Sequence, residues 1–419
     1  MSRSITRLGL AVLLAGVAAL SFAGPGPTSA SAAPRYWAPS WIAPAEPAWG
    51  SGFALPLGMP QLLRDVTLRQ HLRISVGGER LRVMVSNEYG RAPLKVGSSH
   101  VGLESSGGGM DVTFQGAREV VVAAGAKAVS DPVTLPVAPG ARLKVDLYLP
   151  ERTQLAGFHW DARDRALLLS GNAAGRPAPA GGEKLATRAF LSAVLVESAR
   201  EPVTVVALGD SITDGNGSTP GADHRWPDFL ARRLEPHGIA VLNAGISGNR
   251  LLRAGMGDSA LARLDRDVLQ HRGVRALIVM LGTNDIGWPG GAFAPDENVP
   301  EASEITNGLH QLIEQAHLRG VRVIGATLTP FEDALKGTPL EGHFSPKKES
   351  VRLAVNEWIR HSGAFDAVVD FDRLLRDASR PSRLRAEFDS GDHLHPSDAG
   401  YRAMADSIHM HDLLGPSAK

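Results

Sequence analysis

Five continuous apolar runs, at 203–208, 239–243, 274–281, 321–328 and 367–370, are separated by amphipathic stretches of helical period. Few folds accommodate that pattern. Runs that are apolar on both faces belong in a sheet covered on both faces, and strands that alternate with helices pair in parallel. The stretches 226–234, 260–270, 304–317, 347–362 and 397–408 would supply the covering helices. A sheet of this kind binds ligands outside the carboxyl ends of its strands.

Residues 33–198 follow a different rule. Arg80-Leu-Arg-Val-Met-Val85 and Arg142-Leu-Lys-Val-Asp-Leu-Tyr148 alternate strictly. Further short runs lie at 68–76, at 112–114 after Gly107-Gly-Gly109, at 119–122 and at 189–195. Period-two alternation between turn signals gives one buried and one solvated face, which predicts an antiparallel β-sandwich. The period changes near Ala199-Arg-Glu-Pro202, so the expected organisation is an accessory β-domain at 33–198 and an α/β domain at 199–419. No internal repeat is present.

Ahead of both, Arg3 and Arg7 precede an apolar stretch at 8–23, and Ala30-Ser-Ala32 offers small residues to a signal peptidase. Residues 1–32 therefore read as a secretory signal peptide, with a secreted or periplasmic product and no stable membrane insertion after cleavage. A retained N-terminal anchor is the alternative. The absence of cysteine excludes thiolate nucleophiles, disulfides and cysteine metal sites. Forty-four basic and 44 acidic residues leave no net field to attract nucleic acid, so the expected partner is a neutral or small molecule.

Each of the first three apolar runs ends in a glycine-containing stretch: Gly209-Asp-Ser211, Ala244-Gly-Ile-Ser-Gly-Asn249 and Gly282-Thr-Asn-Asp285. A strand that breaks at glycine and enters a helix exposes the turn side chain beside free N–H groups. Ser211 accordingly reads as a nucleophile, with donors nearby for the charge that develops at an attacked carbonyl. The blander reading is that Asp210, Ser211, Thr213 and Asp214 are helix caps. After the fifth run, Asp389-Ser-Gly-Asp-His-Leu-His-Pro396 places Asp392 three residues before His395. That spacing can set a carboxylate against one ring nitrogen while the other faces outward.

These four stretches, in this order, resemble the SGNH (GDSL-type) hydrolase family over residues 203–412. The matching residues are Ser211, Gly248, Asn284 and the Asp392-x-x-His395 pair, with Ile212 where the family's name has leucine. The resemblance implies a flavodoxin-like α/β fold, a parallel five-stranded sheet with helices on both faces, here preceded by the antiparallel sandwich. It implies that Ser211 attacks an ester carbonyl, that His395 moves the proton and that Asp392 holds the imidazole. The oxyanion donors would be the Ser211 and Gly248 N–H groups and the Asn284 amide. No metal or organic cofactor is implied.

Other residues carry rival readings. His393 and His395 with Asp389 or Asp392 could be a metal site, but the serine and amide motifs would then have no purpose. Asp389 could compete with Asp392 for the histidine. Asp285 reads as a turn cap or as a support for the oxyanion loop. The loops at 287–296 and 331–346 read as walls or lids of a site, or as plain surface loops. Trp226 reads as core, Trp288 as core or pocket, and Trp37, Trp41 and 158–160 as packing residues, although a β-domain beside a catalytic edge can supply one wall.

The expected function is a secreted serine esterase for short acyl esters, with O-acetyl groups on carbohydrate as the specific expectation. A lipase or arylesterase for longer or aromatic acyl groups is one alternative. A non-hydrolytic carbohydrate-binding protein is the other.

Overall fold

The parallel sheet is built from Val203–Gly209, Ile239–Gly245, Val274–Met280, Arg322–Ala326 and Ala367–Val369. In this computed structural model, which describes residues 35–415 except 51, 106–107 and 178–181, the spatial order is second, first, third, fourth, fifth. All four pairings are parallel. The strands lie where the apolar runs predicted, and Val205, Val206, Leu277 and Ile278 are fully buried. Helices Trp226–Leu234, Ala302–His317, Pro346–His361 and Asp398–Asp406 surround the sheet. With the first strand between the second and third, the order reverses at Val203–Gly209 and Val274–Met280, and the crevice outside their carboxyl ends is the place for a ligand.

One helix departs from expectation. The stretch at 260–270 is α-helical only over Ala260–Leu264 and then widens into a π-turn over Asp265–Leu269. Insertions of this kind re-aim side chains. Here they accompany Arg263 and Asp267, which pair at 3.1 Å inside the protein.

The antiparallel half is built on two larger sheets that share one apolar core, with three smaller ones beside them among the described residues. Tyr36–Ile42, Leu191–Ser198 and Gly78–Ser86 run side by side in one, with Lys127–Val129 and Val133–Val137 both pairing the far edge of Gly78–Ser86. In the other, Val66–Arg73 and Arg142–Leu149 are central, with Ala166–Ser170 and Ser98–Leu103 on either side. Leu81, Val83 and Val85 of the first meet Leu68, Leu72 and Val145 of the second in that core. Alternation explains this in outline, with exceptions. Asp146, which the charge pattern assigns to a solvated face, is buried with Arg69 in a two-bond pair, both at 2.7 Å. The carbonyls of Ala173 and Arg176 take further hydrogens of Arg69, so a following loop covers that face.

The change from antiparallel to parallel pairing falls between Ser198 and Val203, yet from Arg35 onward the chain forms one compact unit. Ile42 and Ala193 lie in the core of the parallel half, while Met256, Trp288 and Ala294 lie in that of the antiparallel half. Ile239–Gly245 is an edge strand, and the Val241 N–H donates to Ser75 Oγ at 2.8 Å. An uncovered edge would leave such groups free to pair with another chain. The predicted signal peptide lies outside the described residues. Among the described residues no helix is long and apolar enough to cross a membrane.

Gly245 tests how closely the second strand end approaches the Ser211 turn. An added Cβ would sit 2.3 Å from the Asp214 nitrogen and 2.7 Å from its Cα, and backbone cannot yield as a side chain can. Gly245→Ala is expected to destabilise the fold by about 1–3 kcal/mol, read as a lower urea midpoint at unchanged slope.

Candidate active site

The strand Val203–Gly209 stops where it does because of Gly209. A Cβ there would lie 2.0 Å from Thr213 Oγ1. Asp210 then caps the short helix Ser211–Asp214, its Oδ1 accepting the Ile212 N–H at 3.0 Å. Gly215, at φ +110°, closes the turn through its N–H to the Ser211 carbonyl. Capping therefore falls to Asp210 and leaves the Ser211 hydroxyl free for another partner. Burial pushes the Asp210 carboxyl up to about 7, although the Ile212 N–H opposes the shift.

That partner is His395, whose Nε2 lies 2.8 Å from Ser211 Oγ. The ring's Nδ1 lies 2.6 Å from Asp392 Oδ2, while Oδ1 accepts the N–H groups of His395 and Leu394. Burial alone would raise the Asp392 carboxyl. The His395 hydrogen bond and the two N–H donors outweigh it and hold the group well below the usual range. Asp389 instead takes His393, at 2.5 Å from Nδ1. The two carboxylates of this loop thus serve different histidines.

Ser211, Gly248 and Asn284 line the same cavity. Gly248 has φ +70°, and a Cβ would come within 2.2 Å of Met256 Sδ and 2.8 Å of Trp288, so glycine is required twice over. Asn284 Nδ2 donates to the Asn249 carbonyl at 3.0 Å, which ties the third strand's loop to the second's. Asp285 accepts the N–H groups of Leu251 and Leu252 at 2.7 and 3.0 Å, so it braces the loop that carries Gly248. Its carboxyl is raised to about 6 by burial, with these N–H groups opposing.

The cavity has a volume of about 200 Å3. Trp288 and Phe293 from the loop at 287–296, and Leu335 and Leu340 from the loop at 331–346, form its apolar walls. Both long loops are therefore walls of the site. His343 also lines the cavity, its imidazole lowered to about 3 by burial and by the nearby Lys348 ammonium. The remaining wall comes from the antiparallel half, as Leu55 and Trp160. The sequence reading favoured packing for Trp160 and allowed that a β-domain beside a catalytic edge can supply one wall, which Trp160 does. Trp226 is fully buried and tilted against Phe371, as its core reading required.

With this arrangement in view, the GDSL-like lipase/acylhydrolase family model matches residues 207–403, just under half of the chain. The protein is thereby a carboxylic ester hydrolase of the SGNH class. No curated protein sequence matches the chain. Among solved structures, similarity extends to a GDSL-like lipase from Bacteroides thetaiotaomicron at 18% identity and a TM-score of 0.37, covering 50% of this chain and 89% of that one. An acetyl xylan esterase is similar at 18% identity and a TM-score of 0.37, covering 49% and 97%. A carbohydrate acetylesterase family member from Sinorhizobium meliloti is similar at 16% identity and a TM-score of 0.40, covering 51% and 100%.

Trp160 is held by a buried acid. Glu46 Oε1 accepts its backbone N–H at 2.7 Å. Burial raises the Glu46 carboxyl from 4.5 to about 8, with His159 opposing the shift and Asp214 adding to it. The folded state therefore binds this proton more tightly than the unfolded chain. The group's contribution is full below about pH 4.5 and is lost as pH rises through 8. Glu46→Gln cannot titrate, so its Tm should rise relative to wild type between pH 5 and pH 8; calorimetry across that range checks the sign.

Proposed function

We propose that the protein is an exported serine esterase in which Ser211, His395 and Asp392 act as a triad. The observation that carries this reading is the unbroken hydrogen-bond chain from Asp392 through His395 to Ser211, at the wall of a cavity. His395 Nε2 takes the hydroxyl proton as Oγ attacks the ester carbonyl carbon. The carbonyl oxygen becomes an oxyanion within reach of the Ser211 and Gly248 N–H groups and the second amide hydrogen of Asn284. Collapse expels the alcohol, which receives the proton from His395. Water, deprotonated by the same ring, then releases the acid and restores Ser211. Asp392, kept ionised by its donors, faces the imidazolium at each transfer.

For the substrate we infer a short acyl ester, with an O-acetyl group on carbohydrate as the specific candidate. A second reading, an aryl or longer apolar group, is favoured by the cavity's tryptophan, phenylalanine and leucine walls. Export rests on residues 1–32.

Hydrolysis of p-nitrophenyl esters from acetate to long chain, with O-acetylated polysaccharide as competitor, tests both. Ser211→Ala is expected to lose activity by several orders of magnitude. An acetate optimum with competition by the polysaccharide supports the deacetylase; a long-chain or aryl optimum supports the second reading. Equal inertness of wild type and variant would sink the esterase. Gly248→Ala, which moves one oxyanion donor and crowds Met256, is expected to lower kcat about 100-fold or more.

A further inference from the structure

His159 lies in the short strand Gly157–His159 of the antiparallel half, and its ring is buried beside the catalytic edge. Nδ1 is 2.8 Å from the Pro44 carbonyl, which can only accept, so this nitrogen carries a proton. Nε2 is 3.0 Å from Asp214 Oδ1, the last residue of the Ser211 helix. A doubly protonated ring satisfies both partners. Burial alone would lower this imidazole, yet the charge and hydrogen bond of Asp214 raise it.

The other Asp214 oxygen accepts twice from one residue, the Ser247 hydroxyl at 2.7 Å and the Ser247 N–H at 3.2 Å. Ser247 directly precedes Gly248. We propose that His159 is a positioning residue for the Gly248 N–H, acting through Asp214 and Ser247, so that the antiparallel half helps to set the oxyanion site of the parallel half. The assignment rests on the esterase reading above. Its physical basis is directional: Asp214 has one oxygen for each half of the molecule, and a carboxylate clamped on one side can point its other oxygen in one direction only. Remove the imidazole and Asp214 Oδ1 lacks its donor. The carboxylate is then free to rotate, and Ser247 loses a fixed acceptor.

A preorganised donor must lie within a few tenths of an ångström of its position, because displacements approaching 1 Å lower turnover by about 100-fold. His159→Phe is therefore expected to lower kcat for p-nitrophenyl acetate by about 10–100-fold while KM changes little. His159→Gln, whose amide can still donate to Asp214, should recover most of the loss. Hydrogen exchange supplies a readout independent of turnover. The segment 244–250 should exchange faster in His159→Phe, with Val274–Met280 unchanged. Should His159→Phe fail to fold, Ser247→Ala removes the hydroxyl link from the other side and should show the same loss confined to kcat. Wild-type kcat together with wild-type exchange at 244–250 in His159→Phe would overturn the proposal. So would a loss that glutamine does not restore and that is matched by faster exchange throughout. If wild type hydrolyses no ester, the esterase reading falls, and the exchange of 244–250 still decides whether His159 braces that loop.

Discussion

Arg263 has no exposed surface, and its guanidinium donates to the Gly209 carbonyl, the Ala244 carbonyl, the Asn249 side-chain oxygen and the Asp267 carboxylate, all between 2.8 and 3.1 Å. A buried charge without partners is strongly unfavourable, and removing one member of such a pair typically costs about 3–5 kcal/mol. Here the partners are the ends of the first two parallel strands and the loop that carries Gly248. The Ser211 turn and the Gly248 loop thus share one anchor, and the relative placement of the proposed nucleophile and oxyanion donor follows from it. The π-turn after Leu264 belongs to the same device, since it holds Asp267 beside the guanidinium that it balances.

How much of this was legible in the sequence depends on the range of the signal. The five parallel strands came from local composition: Val205, Val206, Leu277 and Ile278 mark buried strands without reference to anything distant. Ser211, Gly248, Asn284, Asp392 and His395 were legible because each sits at a strand end or in a short motif of fixed spacing. Their meeting came only from the family resemblance, since the Ser211–His395 contact spans 184 residues and no local pattern reaches that far. Asp146 was misassigned to solvent because alternation identifies a face but not what covers it. Arg263 and His159 gave no periodic or spacing signal. What they touch is backbone carbonyl and carboxylate brought in by the fold, and a single charged residue on a helix or strand reads as solvated.

The same limit applies to the division into halves. The change of period near Pro202 marks a change of sheet type, yet the contacts across it serve both sides. The Trp49 indole donates to the Met256 carbonyl at 2.7 Å, and Met256 in turn lies against the space that Gly248 leaves open. Trp160 and Leu55 face the cavity with Trp288 and Phe293. A substitution deep in the antiparallel core can therefore reach the reacting atoms through packing, since close-packed interiors transmit strain.

The separation of Ser211 from His395 also orders events in time. A ribosome delivers the antiparallel half first, so Leu55, Trp160 and His159 are made before the turn that His159 contacts. Ser211 follows with its cap, but without the His395 partner at its hydroxyl. The imidazole arrives 184 residues later, after all five strands of the parallel sheet have been made. On the esterase reading proposed above, hydrolytic competence is a completion signal: a chain that lacks the 389–396 loop has Ser211 without His395 and a cavity without one of its walls.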